Sequence, residues 1–163
     1  MNELPPIHQW PVAYRRLVLA FLTVVLFGYG VGFANLFVTR QTSPRGIALN
    51  LRGLPESDLE TAEEIVIAKP LRELIITTHN HLLGLAAVFV LVGFLFLHSG
   101  VFSVRWRMVL AVEPLLSLLL TFAAMWLTRF VDPRFSYMVM LGGFLTHPVF
   151  IFQLAVIFQA LRK

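Results

Sequence analysis

The chain has 163 residues, of which 58% are hydrophobic and 13% charged. A soluble domain carries about twice that share of charge, so a soluble fold is excluded in favour of an all-α polytopic membrane protein. The formal net charge of +4 is then a matter of where the basic residues sit and not of nucleic-acid binding. The absence of cysteine excludes disulfides, thiolate metal sites, Fe–S clusters and covalently attached c-type haem.

The first apolar run covers residues 17–38, behind Arg15-Arg16. Its basic flank and the stretch Gly32-Phe33-Ala34 imitate a secretory signal, but 22 residues is longer than a signal core and long enough to span a bilayer. The expectation is a retained helix. Residues 39–78 form the only polar module. Ser57-Asp58-Leu59-Glu60 has the spacing of a capping box, which predicts a short helix over 58–68. Pro70 suits the first turn of the helix that follows, where its missing N–H is not needed. That helix carries the second apolar run, about 74–98. The third run is 108–127 and the fourth 135–161. The expected architecture is a single membrane domain over 1–163, an up-down bundle of four transmembrane helices.

Charge sets the expected orientation. Arg15, Arg16, Arg105, Arg107, Arg162 and Lys163 collect on one side against Glu3 alone. On the other side, in 39–78 and 128–134, seven basic residues are balanced by seven acidic ones. The positive-inside rule places both termini in the cytoplasm and the 39–78 loop in the periplasm of a bacterial inner membrane. Gly28 and Gly32, with Gly30 between them, and Gly142-Gly143 in the fourth run have the small-residue spacing that lets helices approach closely in lipid.

The polar groups within the runs carry the chemistry. His79, His81, His98, His147 and Glu113 lie in or at the ends of apolar segments, where ionisable side chains are costly and mark function. Gln153 and Gln159 add amides. Residues two apart on a helix diverge by about 200°, so His79 and His81 cannot both face the bundle and do not chelate one metal together. His81 and His98 stand about 25 Å apart along the helix, too far to ligate one iron. His147, beside Pro148, is the same-chain partner for His81 in a bis-histidine haem, but it lies on the order of 7 Å deeper. The candidate partners for His98 are His8 and Glu113. Glu113, beside Pro114, either reaches Arg105 or Arg107 at the interface or holds a proton.

The run His79-x-His81-Leu82-x-Gly84-Leu85, followed by His98, Pro114, Trp126-Leu127-Thr128-Arg129 with Pro133, and Met140-x-Gly142, resembles a family of small bacterial four-span membrane proteins. Some members of that family carry a c-type cytochrome segment in the first outer loop. The likeness covers about residues 71–155. A looser similarity links the histidine motif to haem–copper oxidase-like membrane segments. The chain departs from the family pattern in two places. It has no Cys-x-x-Cys-His in the loop, and it has Thr121 where the relatives place an acidic residue. The resemblance implies a redox setting facing the periplasm, with His79, His81 and His98 as the residues to test.

These readings converge on an inner-membrane protein that serves a respiratory or other electron-transfer system, with no independent catalytic activity. It would bind haem b through His81, with His79, His98 and His147 as further cofactor-binding candidates, or dock a periplasmic cytochrome or other membrane subunits. The alternative is a cofactor-free accessory or assembly subunit in which the histidines join helices by hydrogen bonds. A proton-coupled carrier using Glu113 and His147 is the third reading.

Overall fold

The computed structural model describes residues 5–39, 42–55 and 65–162. Among the described residues five α-helices follow in order: α1 (Val12–Val38), α2 (Pro44–Arg52), α3 (Leu71–Leu97), α4 (Val104–Phe130) and α5 (Ser136–Leu161). Two short 3-10 turns, Ile7–Gln9 and Pro133–Phe135, precede α1 and α5. The four long helices are apolar enough to cross a membrane. At 26 or 27 residues each they run about 40 Å, more than the ~30 Å of a hydrocarbon core. Their outward faces carry Leu, Val, Phe and Ile side chains left open by the chain itself, as lipid contact requires. The expected all-helical four-span bundle is the observed one.

The core is a three-helix seam of α3, α4 and α5, with α1 laid against it. Phe89, Val92 and Phe96 of α3 meet Leu118 and Phe122 of α4 and Phe150, Leu154 and Ile157 of α5. Two glycines set the spacing. A Cβ on Gly93 would stand 3.2 Å from the backbone oxygen of Ala111, and one on Gly142 would stand 2.1 Å from Thr121 Oγ1. Each lets α4 approach its neighbour backbone to backbone. Gly28, Gly30 and Gly32 do not pack in this way, since no described residue lies within 4 Å of a Cβ built on any of them. The small-residue groove read on α1 therefore has no occupant among the described residues, and the buried side chains of α1 are Val18 and Leu22.

The bundle has a terminal end and a loop end. At the terminal end the N-terminal arm folds over the bundle. Ile7 is fully buried, and its N–H donates to the His98 carbonyl at 2.9 Å. At the loop end sits α2. Ser43 caps it by accepting from the Gly46 N–H at 3.0 Å, Pro44 opens it, and Gly53 closes it at φ 79°. Gly53 is required twice over, by the left-handed φ and because a Cβ would stand 2.7 Å from the Ala68 nitrogen. One face of α2, Ile47 and Leu51, packs with Leu74, Met125, Trp126 and Val139, closing the bundle against the ends of three helices. The loop thus carries a helix at 44–52, where the sequence reading expected none; the expected one was at 58–68. Of that expected helix, 58–64 lie outside the described residues and 65–68 are not helical.

Arginines finish three of the helices. The last carbonyls of a helix have no intrahelical partner and carry partial negative charge. Arg107 donates to Leu97 O at the end of α3, Arg15 to Leu161 O at the end of α5, and Arg52 to Thr128 O at 3.0 Å at the end of α4. Arg107 is buried, so this cation is held inside the fold and does not serve as a surface charge.

Candidate functional site: histidines and a polar seam

The depth of each polar group follows from helix register. On α3 and α4, Thr78 meets Trp126, His81 meets Phe122, Gly93 meets Ala111 and Leu97 meets Arg107. Each step down one helix is matched by a step up the other. On α4 and α5, Leu110 meets Gln153 and Thr121 meets Gly142. Followed through α4, His81 stands level with the neighbourhood of Met140, so His147 lies seven residues, or about 10 Å, deeper. The depth difference expected from the sequence is present and is larger. His81 and His147 are not two axial ligands of one haem in a single chain.

His81 lies one turn below Thr77. Its Nδ1 donates to the Thr77 carbonyl at 2.9 Å, and its ring leans on Phe122 at 6.0 Å between centroids. A carbonyl can only accept, so Nδ1 carries a hydrogen, and in the neutral imidazole the lone pair is then on Nε2. Both His81 and His79 are exposed, on diverging sides of α3. Next to them Trp126 donates to Thr78 Oγ1 at 3.0 Å, tying this stretch of α3 to α4. Gly84, one turn beyond His81, has nothing within 4 Å of a built Cβ, so the helix surface there is flat and open.

His98 is buried at the terminal end. Its Nδ1 donates to Pro5 O at 2.9 Å, and its ring meets Trp10 edge-on at 5.1 Å and Phe94 at 4.8 Å. The pairing with His8 or Glu113 read from the sequence is replaced by a backbone carbonyl of the arm. His8 gives only its own carbonyl, to Arg15 at 3.4 Å. His98 fastens the arm to the bundle.

His147 shares a 2.6 Å hydrogen bond between its Nδ1 and the Tyr29 hydroxyl of α1, inside a group completed by Phe33 and Phe150. This is the polar tie between α1 and α5 within the membrane. Tyr29→Phe removes it with no change of shape and is expected to cost about 1 kcal/mol. Thermal unfolding of the detergent-solubilised protein measures that loss.

Glu113 does not reach Arg105 or Arg107. Its Oε1 accepts from Ser117 Oγ one turn along α4, and Oε2 is buried without a partner. Arg107 is committed to Leu97 O instead. A second feature of this seam was not legible as a pair in the sequence. Pro114 has no N–H, so the carbonyl four residues earlier, Leu110 O, loses its helical donor. Gln153 of α5, fully buried, donates to it from Nε2 at 2.6 Å, leaving Oε1 unpartnered. The signal available was the coincidence of a mid-helix proline and a mid-helix glutamine on adjacent spans.

Among the described residues, no three His, Asp or Glu side chains gather where they could hold one metal ion. The donor chemistry fits a single imidazole ligand at His81: Nδ1 is fixed by a carbonyl, as metal-binding histidines require, and Nε2 is free on an open face.

A family model described as a transmembrane helical domain matches residues 41–163, more than half of the chain. The match takes in α2 through α5 and begins after α1, the least buried of the four long helices. No curated protein and no solved structure matches the chain.

Proposed function

The chain belongs to the Aq_1264_TM family of transmembrane helical domains, and from that premise we propose that this integral membrane protein serves an electron-transfer system of a bacterial inner membrane. It offers His81 on its open α3 face as one axial ligand for haem b, or as the contact of a cytochrome partner. Both termini lie in the cytoplasm, so His81 sits in the periplasmic half. The observation that carries this reading is the fixed Nδ1–H of His81, donated to Thr77 O, which leaves an Nε2 lone pair on a face no other part of the described chain covers.

When bound, a haem would supply one-electron chemistry whose potential is set by its axial ligands and apolar surroundings. The chain's part is to hold the imidazole. Thr77 fixes the tautomer, Phe122 supports the ring, and Gly84 leaves the adjacent helix surface unobstructed. Because His147 lies about 10 Å deeper, it would not hold the same group as His81. His79 is on the diverging side of α3 and faces a neighbour at the loop end.

A cofactor-free accessory role has its own support, because His98 and His147 both spend Nδ1 on joining segments, to Pro5 and to Tyr29. Reduced-minus-oxidised spectra of membranes expressing the single variants separate the two readings. Under the proposed function His81→Ala loses the b-type Soret and α-band signal, while His79→Ala and His147→Phe keep it. A signal that survives His81→Ala removes His81 from the role.

A further inference from the structure

An apolar recess opens on the outer surface of the bundle where α4 begins. Its volume is about 180 Å³, and Phe102, Trp106 and Leu110 line it. Trp106 and Leu110 stand one turn apart on one face of α4, and Phe102 precedes them on the turn from α3. The recess therefore follows the helix inward from its start. Phe102 and Trp106 are exposed and Leu110 is half-buried, so the recess is open to the surroundings of the bundle. The wall that Phe102 supplies is held in place. Its backbone is left-handed, φ 65°, a conformation costly for any residue with a Cβ, and its ring rests against Phe152 of α5 at 6.0 Å.

Depth and charge select the occupant. The 27 residues of α4 outrun a hydrocarbon core. Its first turn therefore lies in the interface, where an indole such as Trp106 sits well, and Leu110 lies one turn further in. What fills the recess is polar at the Trp106 end and hydrocarbon toward Leu110, which describes a lipid. Arg105, next to Trp106, is exposed, as are Arg16 and Arg162 at the same end of the bundle. Arg107 is engaged at Leu97 O and adds nothing to this rim. Among the described residues no carboxylate offsets these arginines: Glu73 and Asp132 belong to the loop end, and Glu113 lies two turns deeper on α4. A headgroup with net negative charge fits the rim, whereas a zwitterionic one brings its own cation beside the arginines. We propose that Phe102, Trp106 and Leu110 seat one acyl chain of an anionic phospholipid whose phosphate lies against Arg105, in the leaflet at the terminal end. The lipid fills the recess and fixes the depth at which α4 enters the membrane. This site is independent of the His81 reading.

The test is tryptophan fluorescence of the full chain in phosphatidylcholine vesicles. These carry increasing fractions of a phospholipid with brominated acyl chains, either phosphatidylglycerol or phosphatidylcholine. Bromine quenches an indole that the chain touches, and the contribution of Trp106 is the difference between the unmodified protein and Trp106→Phe. Brominated phosphatidylglycerol should half-quench that contribution at a mole fraction about fivefold below brominated phosphatidylcholine, the preference one arginine at a membrane surface confers. Arg105→Gln, at an exposed position, should make the two lipids equal. Leu110→Phe, which fills the recess and keeps every charge, should also lower the preference. Equal quenching in the unmodified protein, the result for exchanging bulk lipid, overturns the proposal. So does quenching by neither lipid, the result for a recess covered by a second copy of the chain. A preference that survives Arg105→Gln, or is unchanged in Leu110→Phe, overturns it as well.

Discussion

Gly142→Val is expected to destabilise the bundle by about 3 kcal/mol, the upper range for overpacking a close-packed core. Even the first added carbon lands 2.1 Å from Thr121 Oγ1 and 3.1 Å from Ser117 O. Thr121 must then leave its 2.8 Å hydrogen bond to the Ser117 carbonyl or push α4 away from α5. Because this is the seam that packs Leu118 and Phe122 against Phe150 and Leu154, separation is felt along both helices. Unfolding in detergent measures the loss. Thr121→Ala in the same chain should return at least 1 kcal/mol of it, since residues in contact couple by about 0.5–3 kcal/mol. Gly28→Val, at a position with no neighbour within 4 Å, should lie within about 0.5 kcal/mol of the unmodified protein.

Gln153→Leu is expected to cost about 2–3 kcal/mol, although leucine is apolar and close to glutamine in volume. The loss comes from α4: without the amide, Leu110 O is left unpaired beside Pro114, and an unsatisfied buried carbonyl costs about 1–3 kcal/mol. The mechanism predicts its own suppressor. Pro114→Ala restores an N–H for Leu110 O, so Gln153→Leu in that background should cost less than about 1 kcal/mol. A cost that is the same in both backgrounds would place the importance of Gln153 elsewhere.

The bundle was legible because its cause is in the composition. Four long apolar stretches in a chain poor in charge have few alternatives in lipid, and Pro70 marked the entry of α3 to within a residue. Gly142 was read as a packing position for the right reason. Gly28 and Gly32, four apart on α1, were read in the same way and meet no neighbour among the described residues, because spacing on one helix says nothing about which neighbour arrives. The loop helix at 44–52 was missed, although its signals were present. Ser43-Pro44 and Gly53 are a cap, a first-turn proline and a left-handed stop, but the capping-box pattern at Ser57 was the more familiar signature. The partners of His98 and of Arg15, Arg52 and Arg107 are backbone carbonyls. These leave no mark in the sequence, since every residue has one. The depth relation of His81 to His147 could be approximated from span starts, and contacts across α4 were needed to set it at seven residues.

The central claim is that the open face of α3 presents His81 as a ligand or contact for b-type redox chemistry. Purifying the unmodified protein from haem-replete membranes and recording its absorbance, oxidised and then dithionite-reduced, tests it most directly. The account predicts a co-purifying Soret band and a reduced α band of b type. A folded, monodisperse and colourless protein that also leaves the spectrum of added haem unchanged would contradict it.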